Sequence, residues 1–63
     1  MTNTYEKVII KLSDAITSLN VNARYKYYDN DINTIEWLDG TTPISNDDIL
    51  AEQTRLQAIE DAK

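Results

Sequence analysis

The sequence predicts a small α+β protein, a helix–β-hairpin–helix whose two-stranded antiparallel sheet packs against the helices. Three observations carry this. Apolar residues recur at helical spacing from Tyr5 to Leu19. The pattern then switches to period two on either side of a turn-rich stretch at 29–33, and a capped, acid-led helix follows Pro43.

The first helix is expected over about 4–19. Tyr5, Val8, Ile9, Leu12, Ala15, Ile16 and Leu19 share one face for four turns. Lys7, Lys11, Asp14 and Ser18 fall opposite, while Ile10 breaks the stripe and is expected to be exposed. Asn3 or Thr4 can cap the start, and Asn20 is a left-handed stop with Val21 contacting the last turn.

Residues 23–28 read as a strand, with Ala23, Tyr25 and Tyr27 on one face and Arg24, Lys26 and Tyr28 on the other. Asp29-Asn30-Asp31-Ile32-Asn33 supplies the loop, since Asn and Asp tolerate turn conformations. A second strand over about 34–38 sets Ile35 and Trp37 against the tyrosines and Thr34 and Glu36 against the basic residues. Asp39-Gly40 ends it, and Pro43 bars a continuing ladder.

The last helix is expected over about 46–62. Ser45 is its N-cap, Asp48 the acidic partner of a capping box, and Ile44 with Ile49 a hydrophobic staple. Its stripe of Ile49, Leu56, Ile59 and, less regularly, Leu50 is thinned by alanines, and at about 25 Å it outruns the hairpin.

With 63 residues the chain is read as one domain, near the lower size limit for independent folding. It has no Cys and no His, so disulfides, thiolate metal sites and the commonest general base are excluded. The net charge of −5 is uneven: residues 1–28 carry four basic and two acidic side chains, residues 29–63 two and nine. That balance disfavours binding to nucleic acid or anionic membrane, and no apolar run is long enough to span a bilayer.

Several constellations invite chemical readings, and each has a simpler one. Asp29, Asp31 and Asn33 have the D-x-D-x-N opening of a calcium loop, but Thr34 and Gly40 stand where Gly and Glu are required. Arg24 to Tyr28 interleaves basic and aromatic residues, yet in a strand the two kinds point to opposite faces. Asp39, Asp47 and Asp48 cluster without a nucleophile–base pairing, and helix starts favour acids anyway. Trp37 with Tyr25 and Tyr27 reads as core before it reads as a binding hot spot. The chain is therefore expected to be no enzyme and to hold no cofactor or metal. Its candidate functional residues are contact residues: Tyr28, Ile10, Leu56 and Ile59.

Ile35-Glu36-Trp37-Leu38-Asp39-Gly40, then Pro43 and the helix from Ser45 with Ile49, Glu52 and Leu56, resembles short proteins of tailed bacteriophages. In those, a strand ending in a W-x-D/G turn precedes a similar acidic helix start, and some are tail or tail-fibre assembly chaperones. The resemblance spans residues 34–60 and implies a phage protein in the host cytoplasm or virion. Two functions are carried forward. One is a virion or tail assembly accessory or minor structural protein, partnered by itself, most simply as a dimer, or by another phage or host protein. The other is an acidic inhibitor of a host enzyme, imitating nucleic acid.

Overall fold

The computed structural model describes residues 8–63. Its elements in chain order are α1 (Leu12–Leu19), β1 (Tyr25–Lys26), a 3₁₀ turn (Ile32–Thr34), β2 (Glu36–Trp37) and α2 (Asn46–Asp61). The fold is α+β: two helices pack on each other, and β1 and β2 form a two-stranded antiparallel sheet. Its centre is Leu12, Ala15 and Ile16 of α1 with Ile49 of α2. Tyr25, Tyr27, Ile35, Trp37 and Ile44 close over that cluster.

α1 is shorter than its apolar period suggests. It starts at Leu12, and the described residues before it, 8–11, are not helical. The proposed caps Asn3 and Thr4, and Tyr5, lie outside the described residues. Val8-Ile9-Ile10 is three β-branched residues in a row, which favour extended backbone, and the side chains of α2 take up its peptide groups. Lys11, extended at φ −96° and ψ 166°, gives its N–H to the Asp14 carboxylate at 2.9 Å. Asp14 thus plays the N3 acid of a capping box at the true helix start. At the other end Asn20 is extended at φ −152°, not left-handed. Its side chain accepts the Asn22 N–H and its carbonyl that of Ala23. This Asx turn reverses the chain without a positive φ, and it leaves Val21 in solvent.

The hairpin has the expected register, with Tyr25 opposite Trp37 and Lys26 opposite Glu36. Both strands are shorter than the alternation suggests: beyond a last backbone bond from the Leu38 N–H to the Arg24 carbonyl at 2.8 Å, side chains take over from the ladder. Thr34 Oγ1 accepts from the Tyr28 N–H at 2.8 Å, and Thr41 Oγ1 accepts from the Arg24 N–H at 2.9 Å. Asp29 and Asn30 sit at φ 53° and 57° inside a turn closed by Asp31 N–H to Tyr28 C=O, as a type I′ turn requires. Asp39 and Gly40 repeat the device at φ 54° and 74°. A Cβ on Gly40 would meet nothing within 4 Å, so glycine stands there for its backbone freedom alone.

α2 begins where its sequence places it, with Ser45 as N-cap, but only the Ser45 half of the expected capping box is made. Ser45 Oγ accepts the Asp48 N–H at 3.1 Å, Asp47 and Asp48 occupy the first turn, and Ile44 packs on the cluster that contains Ile49. Near its far end Ile59 is 46% exposed.

Candidate interaction surface

α2 holds the Val8–Ile10 segment through two glutamines one helical turn apart. Gln57 Oε1 accepts the Ile10 N–H at 2.9 Å, and its Nε2 donates to the Val8 carbonyl at 2.8 Å. Gln53 Nε2 donates to the Ile10 carbonyl at 2.9 Å. A primary amide carries the donor and acceptor of a peptide group. By reaching the C=O of one residue and the N–H two residues on, Gln57 imitates one residue of a neighbouring parallel strand. The segment is thus held as a strand would be, by a helix.

This arrangement corrects the expected exposure of Ile10, whose side chain is only 9% exposed. The clasp turns Ile10 inward and leaves Ile9 outward, the reverse of a helical assignment. Ile9 lines a shallow groove with Thr54, Ala58 and Asp61 of α2.

The four contact residues do not form one patch. Successive helical residues are turned by about 100°, so Ile59 lies about 160° around α2 from Gln57, away from the Ile10 side. Leu56 is half-buried between these two sides. Tyr28 is exposed at the hairpin's loop end, where the turn lifts it off the sheet. The glutamines escaped notice in the sequence because their neighbours along the chain are unremarkable. Their spacing of four on the side of α2 that carries Ile49 is the signal that identifies them.

The remaining constellations are occupied structurally. Asp31 accepts the Asn33 N–H at 2.9 Å, forming its own turn. Tyr25 and Tyr27 stack at 6.1 Å and Tyr25 meets Trp37 at 6.0 Å, with all three packed on the core, while Arg24 and Lys26 face solvent. Trp37 is half-buried there. Glu52 accepts both Arg55 nitrogens at 2.7 Å and the Ser18 hydroxyl, which ties α2 to α1. Those hydrogen bonds, Arg55's first, hold its carboxyl at about 2, well below the usual range. Glu36 and Glu60 are also paired, with Lys26 and Lys63.

Among the described residues no group of acids is placed to hold a metal ion, and no helix is long and apolar enough to cross a membrane. No family model, curated protein or solved structure matches the chain.

Proposed function

We propose that this chain works by protein–protein contact rather than by catalysis, and that its first partner is a second copy of itself. The observation that carries the reading is the balance of core and surface. Five hydrophobic residues are buried, while eight large ones among the described residues are exposed, Ile9, Tyr28, Leu50 and Ile59 among them. A chain this short usually supplements its core with disulfides, metals or association. It has no cysteine, so the first remedy is closed. The biological setting rests on the resemblance of residues 34–60 to short tailed-phage proteins. On it, the protein serves virion or tail assembly in the host cytoplasm or as a minor virion component.

Sedimentation equilibrium at micromolar concentration tests the reading. The expected result is a species heavier than the 7.2 kDa chain. A well-folded 7.2 kDa species alone would overturn self-association.

A further inference from the structure

An extended chain turns the peptide groups of alternate residues to opposite edges. In Val8–Ile10 the inner edge is taken, because the Val8 carbonyl and both peptide groups of Ile10 face the glutamines of α2. Ile9 therefore presents its N–H and C=O outward, and neither meets a partner among the described residues. Its side chain is 61% exposed, with Val8 half exposed beside it. A β-branched segment with one free edge is a template for strand addition.

We propose that Val8–Ile10 pairs antiparallel with the same segment of a second copy, about a two-fold axis at Ile9. The hydrogen-bond pattern favours a copy of this chain. In an antiparallel sheet the two residues of a hydrogen-bonded pair exchange both their N–H···O=C bonds. Two copies of Ile9 satisfy each other completely, and the symmetry is the commonest among oligomers. The same register sets Val8 across from Ile10 of the second copy, β-branched on β-branched. The clasp by Gln53 and Gln57 already fixes the strand, so little further order is lost on pairing. One feature opposes it: each chain carries a net charge of −5. That repulsion is screened by salt, so association strengthens as ionic strength rises.

The inference rests on the self-association proposed above and names its interface, and the test separates the two. Ile9→Pro removes an N–H that has no partner among the described residues, and the ring's fixed φ suits extended backbone. The fold should therefore survive, with an unchanged far-ultraviolet circular dichroism spectrum. In sedimentation equilibrium the parent is expected as a heavier species and Ile9→Pro at 7.2 kDa, its association weakened about tenfold or more, as loss of a paired strand edge implies. Independently of any variant, exchange of the Ile9 amide with solvent should slow as the parent is concentrated. Association of Ile9→Pro equal to the parent's overturns the interface but leaves self-association standing. So does association dispersed by Ile59→Lys and not by Ile9→Pro, or an Ile9 amide that exchanges equally fast at every concentration in an associating protein. A parent that never exceeds 7.2 kDa overturns the self-association itself.

Discussion

Gln57→Leu would remove the amide that clasps Val8 and Ile10 while keeping side-chain volume and helix propensity. Two bonds to backbone are lost, at 2.8 and 2.9 Å, together with a third to Asp61 at 3.1 Å. Each bond contributes about 0.5–1.5 kcal/mol net, and the part-buried Ile10 N–H, left without an acceptor, falls at the upper end. The Val8 carbonyl is exposed and water replaces its partner, so the sum is about 2 kcal/mol. For a domain this small, 1 kcal/mol moves the unfolding midpoint by about 4–8 °C, which gives a fall of about 8–16 °C. Thermal unfolding followed by far-ultraviolet circular dichroism at one protein concentration measures it, and amide exchange at Ile10 localises it. Gln57→Glu divides the clasp. Its carboxylate still accepts from Ile10 but repels the Val8 carbonyl, so this variant should also fall below the parent at neutral pH. A Gln57→Leu midpoint within about 3 °C of the parent's, with Ile10 exchange unchanged, would refute the clasp as what fixes the segment.

Ser45→Ala should destabilise the protein by about 1 kcal/mol, since the Asp48 N–H loses its acceptor. Denaturant unfolding reads this, and an unchanged midpoint would mean the cap contributes nothing. Acid should act through Glu52, whose folded carboxyl sits at about 2 against an ordinary 4.5. A depressed value means the contribution is complete above pH 4.5 and lost as pH falls towards 2. The parent's stability should therefore decline across that window more steeply than that of Glu52→Gln. Parallel curves would show that the Arg55 and Ser18 bonds add nothing to folding.

Local chemistry determined much of this protein from its sequence. Ser45, the acids after it and Ile44 specify where α2 begins, because a cap, a dipole and a staple act within one turn of chain. Asp29-Asn30 and Asp39-Gly40 specify the turns, because few residues accept a left-handed φ. Alternating tyrosines and basic residues then leave one hairpin register with the aromatics inward. The segment before Leu12 shows where such signals stop. Val8, Ile9 and Leu12 fit a helix face as well as Val8-Ile9-Ile10 fits a strand, so periodicity alone admits both. What decided between them lies more than forty residues away, in Gln53 and Gln57. Their amides reach the peptide groups of an extended chain and could not reach those of a helix, which are spent on its own turns. The same long-range choice buried Ile10 and exposed Ile9. A hydrogen-bonding partner brought near only by folding leaves no mark in the local pattern, and so the course of Val8–Ile10 was decided by tertiary structure alone.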